Sequence, residues 1–161
     1  MIVINRDSIR VVLSLSMTST RDSGLGVLAA RLLFAFQDEL YARFEEAGHG
    51  KVTRPHGAVL GHLDLDGTRA TELARRSRRP KQVIGRAVDE LEQLGYVERR
   101  PEPGDRRAKL VVPTERGREL IRLSDRIIRD MERRPEAALG QATYERFKQQ
   151  LGAVADTLRA D

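Results

Sequence analysis

From Leu25 to Ala47 the apolar positions Leu28, Leu32, Leu33, Phe36, Leu40, Phe44 and Ala47 recur at three- and four-residue steps. That spacing predicts an amphipathic helix of roughly six turns, ended by Gly48-His49-Gly50. Pro55 opens a second helix through Ala58, Val59, Leu60 and Leu63, which stops at the turn Asp64-Leu65-Asp66-Gly67. A short helix beginning at Thr68 or Arg69 buries Ala70, Leu73 and Ala74 and breaks at Ser77-Arg78-Arg79. Pro80, tolerated at a first helical position, starts the best-marked helix, whose apolar face is Val83, Ile84, Ala87, Val88, Leu91 and Leu94, with Gly95 as its C′ residue.

The period then shortens to two and the residues become strand formers. Tyr96 to Arg100 reads as a strand, Pro101 to Asp105 as a turn and Ala108 to Val112 as the returning strand. Thr114 is the N-cap of a long helix through Leu120, Ile121, Leu123, Ile127, Ile128 and Met131, expected to halt near Pro135. A last helix spaces Tyr144, Phe147, Leu151, Val154 and Leu158 as a coiled-coil-like seam suited to a partner helix. Four segments follow: an N-terminal extension (1–24), expected to be frayed or disordered and without an assigned role, with Met17 as an alternative natural start; a dimerisation helix and loop (25–54); a winged helix-turn-helix DNA-binding domain (55–118); and C-terminal dimerisation helices (119–161). The expected fold class is mainly α with a small β-hairpin wing.

Charge sharpens this picture. The chain of 161 residues carries a net charge of +5, and the excess is not spread evenly. Residues 1–67 sum to −1, residues 68–118 to +6 and residues 119–161 to 0. Charge that served only solubility would not gather on one segment, so the segment holding the turn and the hairpin is expected to meet a polyanion. With no cysteine, thiol catalysis, disulfides and Cys-ligated metals are excluded. No stretch approaches the ~20 apolar residues of a membrane helix, and no signal-peptide pattern is present; the chain is expected in the cytoplasm, with no membrane partner.

Two helices joined by a tight turn and followed by a basic hairpin make a winged helix-turn-helix. If the helix from Pro80 to Leu94 turns its apolar face inward, Lys81, Gln82, Gly85, Arg86 and Asp89 face out. Its N-terminal half can then enter a major groove, where Lys81 and Gln82 read base edges and Arg86 takes a phosphate or a guanine. Arg75, Arg76, Arg78 and Arg79, just before it, are placed to hold the phosphate backbone. At the hairpin tip, Arg106 and Arg107 are candidates for the minor groove, with Asp105 holding the Arg107 guanidinium in one orientation.

The runs Thr71-Glu72-Leu73-Ala74, Val88-Asp89-Glu90-Leu91, Leu94-Gly95-Tyr96-Val97-Glu98-Arg99-Arg100, Asp105-Arg106-Arg107 and Thr114-Glu115-Arg116-Gly117 resemble the MarR family, the multiple antibiotic resistance regulators. The resemblance spans roughly Leu25 to Leu158. It implies a dimeric bacterial transcription regulator, usually a repressor, with first and last helices forming the dimer interface. It also implies that a small aromatic ligand between that interface and the winged domain releases the DNA. Phe36, Tyr41 and Phe44 are candidates for that pocket or for the core. Two departures stand out: Gly85 replaces the Ser or Thr common at its position, and Pro113 replaces the usual Leu and is expected to end the wing strand early.

Other chemistry finds little support. His49, His56 and His62 are spaced by seven and six residues, not the four that set two metal ligands on one helix face; they read as loop or surface histidines. No phosphate loop, nucleophile elbow or acid pair suggests an enzyme, and no cofactor is expected. Aromatic residues make up 4% of the chain and lie almost entirely outside the basic segment, so no platform exists for stacking unpaired bases. Double-stranded DNA, as a pseudo-palindrome with half-sites about one turn apart, is the expected partner of a homodimer. The alternative is an architectural or interaction protein that senses no ligand.

Overall fold

The computed structural model describes residues 24–158, without the side chains of Arg106 and Arg107. The expectations for residues 1–23 lie outside the described residues. Helix α1 (Leu25–Glu46) is followed by α2 (Arg54–Leu60), strand β1 (Thr68–Arg69), α3 (Ala70–Ser77), α4 (Lys81–Gln93), β2 (Val97–Glu102), β3 (Asp105–Pro113), α5 (Glu115–Leu139) and α6 (Gln141–Thr157). The chain forms two compact units that divide within α1, between Ala35 and Phe36.

In the larger unit, α2, α3 and α4 pack together, and α3 and α4 rest on a three-stranded antiparallel sheet of order β1-β3-β2. Its core joins Val59, Leu73, Ile84, Val88, Leu91, Tyr96, Val97, Val111 and Leu120, all nearly inaccessible to solvent. This is the mainly helical, winged arrangement expected from the periodicity. Local signals account for most boundaries. Gly95 turns the chain out of α4 with φ +76°, and Thr114 caps α5 by accepting the Gly117 N–H at 3.2 Å.

Gly117 has a second duty. A Cβ there would lie 2.0 Å from the Tyr96 carbonyl oxygen, the same oxygen that accepts the Thr114 N–H at 3.0 Å. The start of α5 is therefore seated directly on the backbone that joins α4 to the wing.

Several expectations need correction. Thr68 and Arg69 do not begin a helix; they pair with Val111 and Leu110 as a third strand, because pairing with β3 satisfies backbone groups that a lone first turn would leave open. The strands of the hairpin reach further than expected, and the turn shrinks to Pro103-Gly104, with Gly104 at φ +88°. Pro113 does not shorten the wing, since it lies opposite Val97. β1 pairs with β3 only at positions 110 and 111, so on that side no neighbour calls for the N–H that Pro113 lacks. Helix α5 runs through Pro135 to Leu139 and ends at Gly140, φ +80°. A proline removes one intrahelical bond, but the good helix formers Glu136-Ala137-Ala138-Leu139 carry α5 past it.

Candidate nucleic-acid interface

Helix α4 presents the surface expected to read DNA. Ile84, Ala87, Val88 and Leu91 are buried, while Lys81, Gln82 and Arg86 point to solvent and Gly85 is half-exposed. Val83 departs from the expected apolar face: it lies on the flank of the buried stripe, 42% exposed, beside the fully buried Ile84. The preceding turn is set by Arg78, whose left-handed backbone (φ 52°) closes α3 through its N–H to the Ala74 and Arg75 carbonyls.

The arginines divide into two groups. Arg75 binds Glu72 with both Nε and Nη2, at 2.8 and 2.6 Å. Arg76 donates to Glu72 at 2.8 Å and to Asp64 at 2.8 Å, fixing α3 to the turn before β1. The hydrogen bonds from Arg75 and Arg76 hold the Glu72 carboxyl at about 2. Arg78, Arg79 and Lys81, in contrast, form no ion pair among the described residues. Arg86 donates its Nε to Glu90 Oε1 at 2.9 Å, and Arg86 ahead of His56 depresses the Glu90 carboxyl.

Sequence reasoning missed how this surface is held. His56 is buried, not a loop or surface residue. Its Nδ1 accepts the Thr53 N–H at 3.0 Å, so the remaining proton sits on Nε2, which donates to Glu90 Oε2 at 2.9 Å. Histidine thus stands where a capping box carries Glu or Gln, and it ties α2 to the outer side of α4. The Thr53-x-x-His56 spacing just before an apolar run was the available signal. Arg99 likewise bonds Asp89 and Glu92, fastening the wing to α4. At the wing base Tyr96 meets His49 Nδ1 through its hydroxyl at 2.7 Å, and the Arg116 guanidinium lies 4.6 Å from its ring centroid.

At the tip, Pro101 faces Lys109 but Glu102 faces Asp105. The register jump leaves residues 106–108 in a bulge on β3, next to a proline that has no N–H for the ladder. Arg106 and Arg107 belong to this bulge by backbone; their side chains lie outside the described residues. Arg69 donates to Glu102 at 2.6 Å, and its Nη2 is 3.9 Å from Asp105 Oδ2.

A family model described as the MarR family matches residues 51–108. Residues 51–108 belong to the MarR family. This MarR segment contains α2 to α4 and the hairpin through its bulge, and it overlaps most of the basic segment 68–118. No curated protein matches the chain. Among solved structures, MarR is 25% identical, with 88% of this chain and 95% of that one covered and a TM-score of 0.70. CouR from Rhodococcus jostii RHA1, solved with p-coumaroyl-CoA, is 22% identical (86% and 96% covered, TM-score 0.69). MepR of S. aureus, solved in complex with DNA, is 20% identical (87% and 99%, TM-score 0.71). The MarR-like fold therefore extends over most of the chain.

Beside the winged domain lies a cavity of about 430 Å³. Leu40 and Phe44 of α1, Leu60 of α2 and Ile121 of α5 give it apolar walls, and Ser124 and Asp125 of α5 its polar groups. Phe44 lines it; Phe36 and Tyr41 pack against the core instead. Among the described residues no group of three or more His, Asp or Glu side chains is placed to hold a metal, and no helix is long and apolar enough to cross a membrane.

Proposed function

We propose that this protein is a homodimeric transcription repressor that binds pseudo-palindromic duplex DNA and is released by a small ligand. The observation that carries the reading is the joint one at α4: base-reading types, Lys81 and Gln82, on an outward N-terminal half, preceded by Arg78 and Arg79 without ion-pair partners among the described residues. Long cationic side chains left unpaired around a helix of groove-fitting width suit a phosphate backbone. The DNA complex of the similarly folded MepR supports the same reading. Arg106 and Arg107, on the bulged tip, are assigned to the minor groove, and Asp105 to orienting Arg107.

Dimer formation is supported by apolar side chains that one chain leaves in water. On α6, Phe147 is 42% and Leu158 76% exposed; on the first half of α1, Leu28, Leu32, Leu33 and Phe34 are exposed as well. Stretches of this kind normally mark an interface. The cavity is the proposed ligand site, as CouR with its bound p-coumaroyl-CoA suggests for the fold. Asp125 is the single charge on its lining, so a neutral or cationic aromatic compound suits it better than a carboxylate.

The test is fluorescence anisotropy against a duplex selected by the full chain from a random pool, compared with a scrambled duplex across a salt series. A two-fold dimer of 18.2 kDa chains should prefer the selected duplex and lose affinity by orders of magnitude from low to moderate salt. Arg107→Ala should weaken binding to all duplexes and reduce the salt slope by roughly one phosphate per wing. Gln82→Ala should instead change which base is preferred, by about 1–3 kcal/mol. Asp105→Ala should act as a weaker Arg107→Ala; tighter binding would mean that the acid does not orient Arg107. Equal affinity for selected and scrambled DNA would favour an architectural protein.

A further inference from the structure

The fold does not account for Val83. It contributes nothing to the core, being 42% exposed, and a β-branched residue in an exposed helical turn is a poorer choice than Ala, Lys or Glu. A lone exposed valine would need no explanation, but this one stands in a defined setting. Three residues after it on the helix is Arg86, exposed and neighbouring it on the helix surface, and Arg79 lies in the turn just before α4. It adjoins Gln82, which is also exposed. The exposed N-terminal half of α4 thus sets a branched apolar group beside an amide, Gln82, and a guanidinium, Arg86.

Polar side chains and cations on such a face match phosphates and hydrogen-bonding base edges. A branched hydrocarbon between them matches only one feature of the major groove, the 5-methyl group of thymine. Resting on the reading of α4 as the DNA-reading helix, we infer that Val83 is a specificity-determining residue that packs its methyl groups on a thymine 5-methyl in each half-site. Gln82 and Arg86 then act on neighbouring base edges or phosphates, and Val83 distinguishes thymine from cytosine at the position beneath it.

The experiment replaces each thymine of the selected duplex, one at a time, by deoxyuridine, which deletes the methyl group and keeps every hydrogen-bonding atom. For the wild-type chain, one position per half-site should weaken binding by about fourfold, the worth of one buried methyl, and the other positions should be neutral. Val83→Ser should bind thymine and uracil duplexes alike at that position, and Val83→Ala should lie between; circular dichroism checks that both fold, as their exposure predicts. Uniform indifference of the wild type to uracil, or a thymine preference that survives Val83→Ser, would overturn the assignment while leaving DNA binding intact. Failure of the wild type to select any duplex would overturn both.

Discussion

Replacing Gly117 by alanine should destabilise the protein, although the same substitution at Gly85 should stabilise it. Both glycines lie within helices, where alanine is favoured by about 1 kcal/mol. At Gly85 nothing stands within 4 Å of the added methyl, so the full preference is realised and the melting temperature should rise by roughly 2–4 °C for a chain of this size. At Gly117 the methyl would sit 2.0 Å from the Tyr96 carbonyl oxygen, more than an ångström inside contact distance. Relief requires moving the peptide of a fully buried residue, whose ring is gripped by His49 and Arg116. Forcing an added methyl into packed surroundings costs about 1–3 kcal/mol, and the bond from the Thr114 N–H to the same oxygen is worth about 1 more. Against these the helix preference returns about 1 kcal/mol, leaving a net loss of about 2 kcal/mol and a fall of roughly 4–8 °C. Urea and thermal unfolding of both variants, at one protein concentration because the proposed association would contribute to stability, measure the difference. A Gly117→Ala variant as stable as wild type would refute the claim that α5 is seated on the Tyr96 backbone.

Glu72→Gln should tighten duplex binding severalfold at low salt, because Arg75 and Arg76 lose the carboxylate that engages them and become available to phosphates; weaker binding in anisotropy would mean that these arginines serve only to position α3. Burial, ahead of the Arg116 charge, lowers the pKa of His49 from its ordinary 6.5. A depressed value means that its contribution to stability is full above about 6.5 and is lost as pH falls through the folded value; urea midpoints should fall between pH 7 and 5, less so for His49→Gln, and an unchanged slope in that variant would count against the Tyr96 contact. If the proposed dimer forms, light scattering should give twice 18.2 kDa for the wild type and a monomer for Phe147→Glu on the seam of α6, with weaker binding to the selected duplex, whereas a variant that remains dimeric would place the interface elsewhere.

Periodicity and caps make most of this architecture legible in the sequence alone. The helical faces of α4 and α5, Thr114 as a cap, Gly95 at positive φ and the position of the wing all depend on interactions within a few residues, and the charge segregation is a property of the sequence itself. Tertiary structure decided which side chains are committed. Arg76 and Asp64 are twelve residues apart, Arg99 and Asp89 ten, and His56 and Glu90 thirty-four; spacing along a chain does not say which carboxylate a long, flexible cation will reach once the elements pack. For the same reason Arg75 and Arg79, alike in sequence, differ in partners. Val83 belongs to the apolar stripe by spacing, yet it stays on the flank, 42% exposed beside the buried Ile84, because burial depends on what stands opposite a residue and not on its own helix. Pro135 and Pro113 carry the local marks of a stop, and each was overruled by its surroundings: a helix-forming run beyond one and the absence of a neighbouring strand beside the other.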